Sequence, residues 1–370
     1  MTESVSIRHR MSVMWLTPKR IATLCSAPLV FAATGAVGAG PANVDSQPSG
    51  LESPNCSSHS GPTKVQTVTL PGRPGFLLLA KNRLWVAIAA PRPWGRGAIA
   101  QIDVDSGEIQ RILPLPINPY QLAFGFGSLW VTGETTDRRY QDGLLGLNPE
   151  TGRVVRVIRG PRFFGSKIAT TTDAVWIGGA DIFPKGHSER AGVRFVYKID
   201  PQRNAVVRRV KLPAQATVID LAGSGGSLWS AGWWGVNRLS ASGRVLFRQS
   251  IDGSGWSLAV TQRAVWVAQP WLGQRPIRQQ NRPARRLLRI ATSGTPRVTT
   301  IDLHGQPGGV SAAGGIVWLA AEGGLARLTA SETPPTLTKI PLDFSTSSIE
   351  AFPGGVWVSE LRANRVSKIC

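Results

Sequence analysis

The feature that most constrains this chain is a recurring apolar–Trp–apolar step. It reads "RLWVA" at Trp85, "SLWVT" at Trp130, "AVWIG" at Trp176, "SLWSA" at Trp229, "AVWVA" at Trp266, "IVWLA" at Trp318 and "GVWVS" at Trp357. Successive tryptophans are 45, 46, 53, 37, 52 and 39 residues apart. Self-similarity at this period marks a repeat architecture. Each copy follows a short apolar run and a turn, as in "QLAFGFGSLWV", and precedes an alternating segment with a turn signal, as in "AIAQIDVDSGE". Alternation at period two between Gly, Pro, Asn and Asp punctuation predicts antiparallel strands. No long segment carries a 3.6-residue period. Four short strands per repeat make one blade of a β-propeller, here labelled a to d from the channel outward. The Trp falls on strand b, where its ring is expected to pack between neighbouring sheets as core. The predicted fold is therefore all-β, a seven-bladed propeller spanning 64–370.

The termini predict how such a ring closes. The last repeat supplies "SSIEAF", "GVWVSE" and "NRVSKIC" as strands a, b and c, and then the chain stops. Near the other end, "KVQTVTLPG" reads as a strand d without partners. Pairing Val65–Leu70 with Arg365–Cys370 completes the blade and removes an exposed sheet edge. Cys56 lies on a short lead into that strand and reaches Cys370, so a Cys56–Cys370 disulfide is expected.

The N-terminus reads as an export signal. Arg8, Arg10, Lys19 and Arg20 precede "IATLCSAPLVFAATGAVGAG", with small residues suited to cleavage around 37–39. An uncleaved anchor is the alternative reading of the same stretch. Residues 1–39 are the expected signal peptide, and 40–63, rich in Ser, Pro and Gly, a linker without a core of its own. Cleavage would leave Cys56 and Cys370 as the two cysteines of an extracellular or cell-envelope protein. Two cysteines in that setting suggest one disulfide. The net charge of +20 would fall to +17 on cleavage. Such a charge is either a solvated basic surface or a means of attracting an anionic partner.

The repeat resembles the exported bacterial propellers related to virginiamycin B (streptogramin B) lyase. The shared elements are the "GxLW"-like strand b, an "IDPxTG"-like turn, and the closing "GVWVSELRANRVSKI". The resemblance implies a seven-bladed propeller. For the lyase reaction it implies two histidines, a glutamate and a divalent metal ion. Outside the signal this chain has His59 in the linker, His187 in a long loop, and His304 in "IDLHGQPGG". Only His304 is expected to face the channel, and Glu360 matches the family's glutamate position. The candidate catalytic pair is thus His304 and Glu360, with one histidine where the lyase needs two.

In a propeller the d–a and b–c loops share one face, where ligands usually bind. Here the b–c connections are long, among them "GETTDRRYQDG" and "QPWLGQRPIRQQNRPARR", while most c–d turns are tight. The loop face is rich in Arg, which suits phosphate, sulfate or carboxylate groups, and in rings, which stack on sugars or apolar groups. Candidate ligand contacts are Arg73, Tyr120, Arg162, Phe164, Trp256, Trp271 and Arg275, supported by Arg96, Arg138, Arg139 and Tyr140. Residues 253–301 hold eight Arg and no acidic residue. No phosphate loop, "GxSxG", "HExxH" or Cys/His metal cluster occurs. The expected function is binding of an anionic small molecule, a glycan or envelope polymer, or a protein. Nucleic acid is not expected, and a monomer is. The alternative is a lyase- or lactonase-like enzyme at His304.

Overall fold

A computed structural model describes Cys56 and residues 64–91, 95–141, 143–160, 167–178, 195–213, 218–272, 282–292, 297–331, 335–360 and 362–370. The expected signal, and the linker apart from Cys56, lie outside the described residues. So do Arg162, Phe164, His187 and Arg275.

The repeat forms seven antiparallel sheets. β1 (Lys64–Thr69) leads in. Blade 1 is β2 (Pro74–Ala80), β3 (Arg83–Ile88), β4 (Ala98–Asp103) and β5 (Ile109–Pro114). Blade 2 is β6 (Asn118–Gly125), β7 (Ser128–Glu134), β8 (Gly143–Leu147) and β9 (Val154–Arg159). Blade 3 is β10 (Lys167–Thr170), β11 (Val175–Gly178), β12 (Phe195–Asp200) and β13 (Ala205–Lys211). Blade 4 is β14 (Asp220–Ser224), β15 (Ser227–Ser240) and β16 (Val245–Ser254). Blade 5 is β17 (Ser257–Val260), β18 (Ala264–Leu272), β19 (Arg282–Ala291) and β20 (Val298–Asp302). Blade 6 is β21 (Pro307–Ala313), β22 (Ile316–Ala321), β23 (Gly324–Thr329) and β24 (Thr338–Pro341). Blade 7 is β25 (Thr346–Phe352), β26 (Gly355–Glu360) and β27 (Arg365–Ile369).

In blade 4, strands b and c are the two halves of β15. Its first half pairs with β14 and its second with β16. Asn237 Nδ2 donates to Ser230 Oγ at 3.4 Å, which requires the element to fold back on itself. It turns at Trp233–Trp234, where Trp234 has φ 64°.

Blade 7 takes its fourth strand from the other end of the chain, as the sequence predicts. β1 pairs antiparallel with β27, from Lys64 opposite Ile369 to Thr69 opposite Arg365. Leu70 N–H then donates to Asn364 O at 2.8 Å. Cys56 and Cys370 form a disulfide across 314 residues of sequence. The innermost strands β2, β6, β10, β14, β17, β21 and β25 touch in that order, and β25 touches β2, so the ring is closed.

Two devices hold the blades to one another. The first is apolar. All seven repeat tryptophans are buried, each 3 % exposed or less, in clusters built from adjacent sheets. The second is a polar belt on the inner strands. Ser348 Oγ accepts Leu77 N–H, Ser257 Oγ accepts Val310 N–H, and Ser311 Oγ accepts Ala351 N–H, at 3.0–3.2 Å. Each bond runs from one blade to the next, so these strands need small polar residues as well as apolar ones. Farther out, Lys198 Nζ donates to Ala241 O at 2.7 Å and Lys368 Nζ to Val104 O at 3.1 Å. Again the bond crosses to the next blade.

The c–d turns repeat one geometry. The side-chain oxygens of Asp103, Asn148 and Asp200 each accept the backbone N–H groups two and three residues on. Four residues after each comes Gly107, Gly152 or Asn204 at positive φ. These are Asx turns closed by a residue that tolerates the left-handed region. Asp103 thus proves to be a turn former.

We expect breaking the Cys56–Cys370 bond to lower the melting temperature without unfolding the propeller. By the chain-entropy argument the loss is at most about 5 kcal/mol. Thermal melts of the wild type and Cys370→Ser, with and without reductant, check this. Reductant should affect the wild type alone.

Candidate functional site

Backbone bonds show that the d–a and b–c connections share one face. Ala89 N–H donates to Arg73 O at 3.0 Å, Gly97 N–H to Ile117 O at 2.9 Å, and Glu322 N–H to Gln306 O at 3.0 Å. Each joins a loop after strand b to one before strand a. This face is the mouth of the channel.

In blades 1 and 2 it gathers arginines. Asp137 and Arg139 pair through Oδ2 and Nη2 at 2.7 Å, with Arg139 Nε 3.1 Å from Oδ1. The Arg139 guanidinium, with a lesser contribution from Arg96 on the neighbouring loop, holds the Asp137 carboxyl at about 2. Arg159 Nη2 donates to Arg139 O at 3.3 Å, and the Arg139 guanidinium lies 5.4 Å from the Tyr140 ring centre. Asp137 is thus taken up by Arg139. The exposed Arg96, Arg138 and Arg159 remain beside it as positive charge. Sequence reading missed Arg159, which looks like an ordinary outer-strand residue.

Tyr120 stands nearby, within β6 rather than in the loop before it. Its neighbour Pro119 has no N–H, and the pairing with β7 skips from Pro119–Gly133 to Gln121–Thr132. Tyr120 is left at this irregularity and stays 36 % exposed. Burial of its hydroxyl, and then a hydrogen bond with Glu134, raise its pKa above the ordinary value.

In blades 4 and 5 the same face gathers tryptophans. Trp233 and Trp234 have ring centres 6.0 Å apart. Trp233 pairs with Ser254, and half-buried Trp256 follows two residues on. Trp271 is paired with Pro283 in a hairpin that carries β18 and β19 past the sheet. Gly253, at φ 107°, lies so close to Trp271 O that an added Cβ would sit 2.0 Å from it. Only glycine permits this approach of blade 4 to the hairpin. Arg275 lies outside the described residues, and Arg73 is exposed at the blade 1 mouth.

The enzyme candidates are placed differently. His304 is exposed between β20 and β21. Glu360 is fully buried at the end of β26. One of its oxygens accepts Arg365 Nη2 at 2.6 Å, and the other accepts the Ser367 hydroxyl. It ties β26 to β27. Among the described residues no cluster of three or more His, Cys, Asp or Glu is arranged to hold a metal ion.

The inner strands carry titratable groups that the sequence did not single out. Asp220 is fully buried, and its Oδ2 accepts Leu258 N–H at 2.9 Å. Burial raises its carboxyl to about 7, against the opposing pull of Lys167 on the next inner strand. Burial raises the Glu350 carboxyl to about 8, although Oε1 accepts Leu79 N–H at 3.2 Å. Burial lowers the Lys167 pKa. On an alternating strand these residues read as ordinary polar positions, and the neighbouring blades bury Asp220 and Glu350.

Comparison with known proteins agrees on the fold. By sequence, no protein-family profile and no curated protein matches the chain. By structure, the chain is similar to hydrazine synthase of Kuenenia stuttgartiensis, with a TM-score of 0.60 at 13 % identity over 81 % of this chain and 96 % of that one. It is also similar to the WD40 domain of Neurospora crassa Pan2, with a TM-score of 0.61 at 10 % identity over 83 % and 94 % of the two chains. A chain of the mitotic checkpoint complex gives 0.61 at 13 % identity over 83 % and 93 %. At these identities the likeness is one of fold. The chain is a seven-bladed β-propeller.

The two raised carboxyls set a pH dependence. Unfolded, both titrate near pH 4. Between there and about 7 to 8 the folded state holds protons that the unfolded chain has released, so stability falls as pH rises through this window. We expect the melting temperature to fall from pH 5 to pH 9, and Asp220→Asn with Glu350→Gln to flatten the fall. Calorimetry across that range checks it, and an unchanged slope in the double variant would refute the assignment.

Proposed function

We propose that this chain is an exported, non-catalytic binding propeller that takes an anionic ligand or partner on its mouth face. Arg96, Arg138 and Arg159 supply the anion contacts, and the tryptophans of blades 4 and 5 supply stacking surface. One observation carries this reading. Loops from two blades and an outer strand bring three exposed arginines together around an Asp137 already paired with Arg139. Guanidinium groups so placed suit phosphate, sulfate or carboxylate groups. The fold agrees, since propellers commonly present rigid binding faces. The alternative of catalysis by His304 and Glu360 is weakened by the commitment of Glu360 to Arg365 and Ser367.

The test is affinity for a sulfated polysaccharide over a range of salt. We expect tight binding at low salt that weakens as salt rises. Replacing Arg96, Arg138 and Arg159 by Ser should lower affinity by at least about tenfold, from the loss of charged hydrogen bonds. Unchanged affinity in the triple Ser variant would refute the site.

A further inference from the structure

The face opposite the mouth carries the a–b and c–d turns, and there blades 2 to 4 differ from the rest. In blade 2 the register of β9 on β8 skips Val155, in blade 3 that of β13 on β12 skips Val207, and in blade 4 that of β16 on β15 skips Leu246. These are equivalent bulge residues just after a c–d turn, and they are 52 %, 44 % and 45 % exposed. In blade 1 the same bulge holds Gln110. In blades 5 and 6 the outer pairings have no bulge. The described outer strands of blades 5 to 7 expose no large apolar side chain.

The a–b turn of blade 2 adds an aromatic. Ala80–Arg83, Gly125–Ser128 and Ala313–Ile316 close two-residue hairpins. Both central residues have positive φ in each: Lys81 and Asn82, Phe126 and Gly127, Gly314 and Gly315. Such turns favour Gly and Asn, and a bulky side chain there is strained. Phe126 occupies that position at φ 55°, and the residue is 38 % exposed. The turn therefore holds an exposed aromatic where glycine would be more stable.

Cations flank these apolar residues. Arg153, Arg208 and Arg244 are exposed beside the three bulges. Of the nearby carboxylates, Asp173 is paired with Lys198 and Asp200 with Arg203, which leaves Glu150 as the exception. Cys370 ends the last strand c on this same face. The disulfide ties Cys56 to the propeller here.

We propose that the turn face of blades 2 to 4 docks on an anionic lipid surface. Equivalent positions on neighbouring blades lie at one height along the ring axis, as a flat surface requires. Apolar tips interleaved with arginine match the apolar boundary and negative head groups of such a surface. A soluble polyanion would account for the arginines and leave Phe126, Val155, Val207 and Leu246 without a purpose.

The experiment uses the full chain and vesicles of phosphatidylcholine with or without phosphatidylglycerol. Phosphatidylglycerol vesicles should slow amide hydrogen exchange at 125–128 and at the three bulges and leave the mouth loops unchanged. Replacing Arg153, Arg208 and Arg244 by Ser should weaken partitioning about a hundredfold, given the usual contribution of each basic residue at an anionic surface. Phe126→Gly should weaken it too while melting no lower than the wild type, which separates docking from folding. Equal protection on phosphatidylcholine alone, protection confined to the mouth, or unchanged partitioning of both variants would overturn the proposal. So would a loss of binding to a soluble polyanion that matches the loss on vesicles.

Discussion

Everything else in this molecule depends on one strand pairing, that of β1 with β27. Six blades are made from consecutive sequence, and each could form its hairpins locally. The seventh needs strands from opposite ends of the chain. Until β1 arrives, β27 is an open edge and the ring is an arc. Closure brings β25 against β2, and only then do Ser348 and Glu350 meet the backbone of Leu77 and Leu79. It also buries Lys368, whose ammonium reaches Val104 O in blade 1. Joining two ends so far apart costs chain entropy that grows slowly with length, and the disulfide removes part of that cost from the unfolded side.

The ring makes two faces with different chemistry from one repeat. The c–d turns are short and alike because Asx turns need only an Asp or Asn and a residue tolerant of positive φ. The b–c connections escape that constraint and vary, and they carry most of the arginines and tryptophans of the mouth. Part of the high positive charge belongs to neither face. Lys198, Arg238 and Arg289 lie 5.6–5.8 Å from the ring centres of Trp176, Trp229 and Trp266. There they cover the blade tryptophans as structural cations. Net charge by itself therefore overstates how much of the surface is available to an anion.

The fold was legible because its signal is local and repeated. A Trp on strand b, a turn signal and period-two alternation recur seven times, and the unmatched strands at the two ends told how the ring closes. Cys56 and Cys370 followed from that. The site was legible only in kind. Sequence placed Arg and aromatic residues on the loop face, yet it could not show that Arg159 of an outer strand reaches the Arg139 loop. Nor could it show that arginines and tryptophans fall in separate sectors. Tyr120 was expected in a loop and lies in a strand, because Pro119 interrupts the ladder without ending it. Asp220 and Glu350 were invisible because burial there comes from neighbouring blades. Fold likeness names no ligand or partner, since propellers of very different proteins share this architecture.

The central claim is that the β1–β27 pairing is integral to the ring and is no appended tail. Native-state hydrogen exchange across that ladder tests it most directly. The account predicts that the bonded amides of Val366 to Ile369 exchange only through global unfolding, with the same opening free energy as the inner strands β21 and β25. Exchange of the ladder by a low-energy local opening, with the inner strands still protected, would contradict it.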